Sequence, residues 1–233
     1  MCVYASHPAQ FLLLFLWLVS HGVYNATITM KFSSLTKKFK KKKRVYLDYA
    51  ASTPVDSRVR DAMGPYLSEE FGNPSSSHEE GEKARLAIAN ARESAAAFLH
   101  ARPDEIIFTS GGTESNNLAI FGVAESVNRS LSSCHFVTSA IEHPSILEVF
   151  EELVQRGAKV TYLPVTKEGI VLPKVVAEAL VPETVLVSVM AVNNEIGTIQ
   201  PIKEIKKFLE KINDNRKTTG HGRIYFHTDA VQA

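Results

Sequence analysis

The chain has 233 residues, 45% apolar and 22% charged, with a formal net charge of +1. That length is enough to bury a core, and the composition excludes collagen, general disorder and a polytopic membrane protein. Its two cysteines, Cys2 and Cys134, exclude a disulfide framework and a multi-cysteine zinc site.

The first segment in chain order is a leader. Residues 11–19 read FLLLFLWLV, which spans only about half a bilayer core as a helix. The length suits a signal-peptide apolar region, but apart from the amino terminus and a mostly neutral His7 nothing positive precedes it, and no small-x-small cleavage site after it is convincing. Met30 is read as the true start, with residues 1–29 upstream of it; secretion is the alternative. Residues 1–44 hold Lys31, Lys37, Lys38, Lys40, Lys41, Lys42, Lys43 and Arg44 and no acid, so the remainder is acidic. An acidic body is a poor nucleic-acid binder, having nothing to neutralise phosphates. The basic run is read as a solvated leader before the folded body, in preference to a nucleic-acid or anionic-membrane patch. Residues 1–44 are therefore assigned to a leader and 45–233 to the fold.

From Val45 onward short β-branched and aromatic runs appear: 105–109 (EIIFT), 134–139 (CHFVTS), 159–165 (KVTYLPV), 184–192 (TVLVSVMAV) and 223–228 (RIYFHT). Helix-period segments lie between them at 78–99, 114–127, 145–156, 173–180 and 201–212, where Pro173 and Pro201 suit a first turn. Strands alternating with helices predict an α/β fold with a mainly parallel sheet. Near-continuous apolar strands predict burial on both faces. Ligands of such sheets bind at the carboxyl ends of the strands.

Four features sit at those ends. After EIIFT, Ser110-Gly111-Gly112-Thr113 feeds a helix, which is either a phosphate cup of free N–H groups or a capped turn. After CHFVTS, His143 precedes Pro144 at a helix start. It is read as an acid/base, a metal ligand, a flat stacking surface or a plain helix cap, and no second ligand spacing favours zinc. After TVLVSVMAV, Asn193 and Asn194 form an amide pair or a turn. After RIYFHT, Asp229 is either a buried acid awaiting a cationic partner or a helix cap. The four together suit pyridoxal 5′-phosphate. The phosphate would take the cup, the ring would stack on His143, and Asp229 would keep the pyridine nitrogen protonated.

The segments YLDYAASTPVD (46–56), FGNPSSSH (71–78), FTSGGTESNNLAI (108–120), EHPSILE (142–148), VNNEIGTIQPI (192–202) and FHTDAVQ (226–232) occur in this order. They closely resemble cysteine desulfurases of the class V aminotransferase family, fold-type I enzymes that use pyridoxal 5′-phosphate. VNNEIG and EHP resemble the iron–sulfur-cluster and nitrogen-fixation branch. The resemblance implies a three-layer α/β/α large domain, incomplete at its carboxyl end, with seven strands in the order 3-2-4-5-6-7-1 of which the five read here are the first five. It implies conversion of L-cysteine to L-alanine, with sulfur passing to an enzyme persulfide. By position, it makes Gly112 and Thr113 phosphate ligands and His143 the ring-stacking and proton-moving residue. It also puts Asn194 near the ring hydroxyl and substrate carboxylate, Asp229 at the pyridine nitrogen and Gln232 at the ring hydroxyl. His143 and Asp229 are the catalytic candidates. It further implies a homodimer when full length and a sulfur-acceptor or iron–sulfur scaffold protein as partner, with no nucleic acid or membrane and a cytoplasmic location.

One departure stands out. The family's Schiff-base lysine lies in a Ser-x-His-Lys motif, and no such motif occurs here; neither Cys134 nor Cys2 matches the nucleophilic cysteine. The resemblance thus implies the amino-terminal portion of a longer enzyme, inactive alone. The alternatives are another class V enzyme such as a selenocysteine lyase, or a non-catalytic binding module.

Overall fold

The computed structural model describes residues 44–127 and 129–233. The apolar segment at 11–19, Met30 and the lysine run lie outside the described residues. The chain divides into two units, 1–49 and 50–233. Of the first, residues 44–49 are exposed and form no helix or strand, and the Tyr46 and Tyr49 rings tilt against each other at 5.6 Å.

The second unit is built on four parallel strands: β1 (His135–Ser139), β2 (Lys159–Leu163), β3 (Thr184–Ser188) and β4 (Tyr225–His227), in the order β2-β1-β3-β4. Among the described residues six α-helices accompany them: α1 (Ser57–Met63), α2 (Glu79–Leu99), α3 (Gly112–Ser126), α4 (Pro144–Gln155), α5 (Pro173–Ala179) and α6 (Ile202–Thr218). Side chains alternate across a strand, so β1 sends Phe136 to one face and Val137 to the other. Phe136 and Leu186 pack with Ile120 and Ala124 of α3 and with Ile146, Phe150 and Leu153 of α4. Val137 and Val187 pack with Val176 of α5 and with Ile205 and Leu209 of α6. Two apolar clusters on opposite faces of one sheet make the expected α/β/α layering. All five residues of β1 and of β3 are buried, as continuous apolar strands require. The β1–β3 register shifts at His135, leaving Val185 as an extra residue. There His135 spans three strands, its Nδ1 2.9 Å from Thr184 Oγ1 on β3 and its Nε2 2.8 Å from Thr161 Oγ1 on β2.

One predicted strand is corrected. EIIFT forms a short 3-10 turn over Pro103–Glu105 followed by extended chain with no strand partner among the described residues. Without a ladder its β-propensity has nothing to act on, and Ile107 and Phe108 remain exposed. The segment is held by Arg92 of α2, which donates to the Ile106 carbonyl and stacks over the Phe108 ring at 4.9 Å. The other strands are shorter than read, ending at Leu163, Ser188 and His227. The helix α1, capped by Asp56, was not predicted; it buries none of its residues, so it carries no strong apolar period.

The FGNPSSSH loop is held against the start of α2. A Cβ on Gly72 would lie 2.0 Å from the Glu80 carbonyl oxygen, and one on Gly81 would lie 2.5 Å from that of Ser76. Only glycine permits this approach. Among the described residues no helix is long and apolar enough to cross a membrane.

Candidate functional site at the carboxyl ends of the strands

In a parallel sheet every strand delivers its carboxyl end to the same edge. Here β4 ends at His227, and the backbone of β3 follows it outward: Val189 donates to the His227 carbonyl and Ala191 to that of Asp229, at 2.7 Å. This fixes the Asp229 main chain. Its buried carboxylate accepts from the Val231 N–H through Oδ1 at 3.0 Å and from Asn116 Nδ2 through Oδ2 at 2.9 Å. Each carboxylate oxygen therefore keeps a free lone pair.

Asn116 belongs to α3, whose amino terminus is the glycine turn. Gly111 is extended, Gly112 and Thr113 open the helix, and no side chain caps it. The N–H groups of that first turn have no acceptor within the helix and face outward with the positive end of the dipole. Glu114 turns back onto Ser110, accepting its N–H at 2.7 Å and its hydroxyl at 2.6 Å. Those bonds hold its carboxyl below the ordinary range. A Cβ on Gly112 would stand 2.9 Å from Val231 Cγ2, so the turn after Asp229 comes within a methyl's breadth of the cup. Cup and aspartate are thus joined through helix α3, with no strand between them.

His143 caps α4. Its Nδ1 accepts the Ser145 N–H at 3.1 Å and lies 2.8 Å from Ser145 Oγ, while the residue stays exposed. Ser145 Oγ is in turn 2.9 Å from Asn116 Nδ2. The structure therefore brings together Gly112, Thr113, His143 and Asp229. It does so through Asn116 and Ser145, which sequence reasoning missed; both lay inside quoted motifs, but no spacing marks a bond across 29 or 113 residues.

Two predicted residues stand apart from this network. Asn194 is half-buried and its amide reaches only Glu195, at 3.3 Å. Its neighbour Asn193 is the buried one of the pair. It donates to the Ile141 carbonyl and accepts from the Glu195 and Ile196 N–H groups, clamping the loop after β3 to the turn after β1. Gln232 is exposed and donates to the Ala50 carbonyl at 3.2 Å.

The site also holds a buried acid that sequence reasoning did not single out. Glu142 Oε1 accepts from Ser139 Oγ at 2.5 Å and from the Met190 N–H at 2.9 Å, while Oε2 has no partner. Burial pushes its carboxyl up to about 7, with the Asp229 charge adding to the rise and the two hydrogen bonds opposing it. His227, behind Asp229, bonds Ser188 Oγ through Nδ1 and is pushed down by burial. Among the described residues no group of His, Cys, Asp and Glu is arranged to hold a metal.

Residues 45–233 match the family model "Aminotransferase class-V". The chain belongs to the class V aminotransferase family. It is 50% identical over 191 residues to a cysteine desulfurase IscS from Dictyoglomus turgidum and 49% identical to one from Methanosarcina thermophila. Both alignments take in 82% of this chain but only 45% and 44% of those relatives. Among solved structures, a NifS-like protein superposes with a TM-score of 0.75 at 39% identity, covering 82% of this chain and 50% of that one. A structure of SspA in complex with cysteine superposes at 0.71 with 43% identity, covering 82% and 51%. The chain spans about half the length of the curated relatives it matches.

Proposed function

We propose that this chain carries the cofactor-polarising part of a cysteine desulfurase that uses pyridoxal 5′-phosphate and turns L-cysteine into L-alanine, passing the sulfur on as an enzyme persulfide. The observation that carries the reading is the buried Asp229 carboxylate, hydrogen-bonded to the same helix whose uncapped glycine start forms the cup. The residues fit the cofactor by their chemistry. The first-turn N–H groups at Gly112 and Thr113 and the Thr113 hydroxyl suit a phosphate dianion. The exposed imidazole of His143 offers a flat face. Asp229 has lone pairs left for a protonated ring nitrogen. Asn194 and Gln232, from neighbouring loops, would serve the substrate carboxylate and the ring hydroxyl.

When bound, the cofactor supplies an electron sink for the substrate's α-carbon. The chain's own residues do the rest. Asp229 holds a proton at the ring nitrogen, because a carboxylate in a low-dielectric setting strongly favours a facing cation. The cup anchors the phosphate, and His143 covers the ring and excludes water from one side. The nucleophilic thiolate and the lysine that carries the cofactor have no counterpart in these 233 residues, so the complete reaction is assigned to the full-length protein. There we infer a homodimer acting in the cytoplasm, with L-cysteine as substrate and a sulfur-acceptor or iron–sulfur scaffold protein as recipient. The cysteine-bound relative supports the choice of substrate.

The test is to load the full-length protein with pyridoxal 5′-phosphate and supply L-cysteine. Stoichiometric cofactor and release of alanine with persulfide sulfur are expected. No cofactor binding, or turnover of selenocysteine alone, would overturn the reading.

A further inference from the structure

Three buried polar side chains from three different elements meet behind the site. Asn116 of α3, Ser145 of α4 and Asp229 after β4 are 4%, 7% and 9% exposed. Their hydrogen bonds have a fixed direction. The Asp229 carboxylate has only acceptors, so the Asn116 atom 2.9 Å from Oδ2 must be the amide nitrogen; a flipped amide would set oxygen against oxygen. The second hydrogen on that nitrogen points to Ser145 Oγ, also at 2.9 Å. With Oγ already accepting, its own hydrogen is free to donate to His143 Nδ1 at 2.8 Å. The Ser145 N–H, which can only donate, reaches the same Nδ1 at 3.1 Å. Both donors leave Nδ1 as an acceptor, and the ring proton of neutral His143 then sits on Nε2, at the exposed end of the imidazole.

We propose that Asn116 is a positioning residue which, through Ser145, fixes His143 as a hydrogen-bond donor at Nε2 while it orients the Asp229 carboxylate. One amide thus serves both site residues. The exposed His143 then carries an N–H and not a lone pair at Nε2, so that atom can give a hydrogen bond but not accept one. This goes beyond the proposed function and rests on it only for what occupies the crevice; the relay itself belongs to the chain alone.

The experiment is long-range proton–nitrogen NMR on the full-length protein labelled at histidine nitrogens, without cofactor, with His143 assigned by loss of its signals in His143→Gln. Wild type is expected to show the Nε2–H form. Asn116→Asp replaces the donor with an acceptor, so the Ser145 hydroxyl turns away from Nδ1 and the ratio of Nε2–H to other forms falls at least about fivefold. In a Ser145→Ala background the same substitution is expected to leave the His143 signals unchanged, which a merely structural role for Asn116 would not produce. A ratio within twofold of wild type in folded Asn116→Asp overturns the relay, as does an equal change with and without Ser145. Where Asn116→Asp does not fold, Ser145→Ala alone decides: it leaves only the longer 3.1 Å N–H contact on Nδ1 in place of the 2.8 Å hydroxyl, so the Nε2–H ratio is expected to fall, and unchanged His143 signals overturn the proposal. Absorbance of added pyridoxal 5′-phosphate on the same samples tests the cofactor reading separately.

Discussion

Glu142 makes a prediction whose sign and size follow from its surroundings. Its carboxyl is raised from 4.5 to about 7, chiefly by burial, so the folded protein holds a proton there that the unfolded chain releases. Stability from this group is complete below pH 4.5, where both states are protonated, and is lost as pH rises through 7. At about 1.4 kcal/mol per unit, the difference amounts to about 3 kcal/mol by pH 8. Glu142→Gln removes the titration while keeping an oxygen for Ser139 and for the Met190 N–H. Its amide hydrogens would enter the place of Oε2, which has no partner, so the variant carries a pH-independent cost of about 1–3 kcal/mol.

The offset and the slope are therefore separable. Thermal unfolding of full-length wild type and variant between pH 4.5 and 8.5 reads both. The variant is expected to start less stable at pH 4.5 and to gain on wild type by about 3 kcal/mol by pH 8, read as a rise of several degrees in its midpoint relative to wild type. His135 and His227 are retained in both proteins and cancel in the difference. Parallel curves across the whole range would refute the reasoning, because they would mean that Glu142 titrates alike folded and unfolded.

His135, which is buried, and His227, which is half-buried, act on the other side. Burial lowers both, so the stability they contribute is present above pH 6.5 and lost on acidification; His135→Gln should flatten the acid limb of the unfolding midpoint measured between pH 5 and 7. In the full-length enzyme, Asp229→Ala should cut turnover by about 10² or more, as loss of one preorganised charge does, while phosphate anchoring keeps cofactor binding measurable by absorbance. His143→Ala should weaken cofactor affinity by only about fivefold, because a stacking contact is worth about 1 kcal/mol. Gly112→Ala should lower cofactor affinity by crowding the cup with a methyl 2.9 Å from Val231 Cγ2, while the exposed Val231 side chain turns aside and the unfolding midpoint changes little.

The layered fold and the strand-end location of the site were legible in the sequence because they rest on period and chemistry. The apolar runs of β1 and β3 and the amphipathic α4 and α6 state their own burial. The glycine turn, His143 and Asp229 are residue types with few uses at a strand end. EIIFT was misread because a strand needs a neighbour, and its β-branched residues describe a preference that the described chain does not satisfy. The Asn193–Asn194 pair was legible as a pair but not as a division of labour. Which amide turns inward depends on the Ile141 carbonyl, 52 residues away. Glu142 was hidden for the same reason. Its carboxyl is raised by burial within the fold and by the Asp229 charge, 87 positions further along the chain, which its neighbours in sequence do not announce.

The organisation of the site follows from this division. Charged groups at the strand ends are few, and none of Asp229, Glu142 and His143 is salt-bridged to another residue in the described chain. What holds them is neutral donors: the Asn116 amide, the Ser139 and Ser145 hydroxyls, and the N–H groups of Met190 and Val231. Such donors orient a carboxylate without neutralising it, whereas a lysine or arginine in the same place would already have satisfied its charge. On the proposed reading, the Asp229 carboxylate would then be left to meet a cationic ring nitrogen, which gains most from a carboxylate not already paired with a cation. The same logic explains why the cup is made of backbone N–H groups at a helix start. A fixed dipole costs nothing to hold in place, and it leaves the local charge to be set by the ligand.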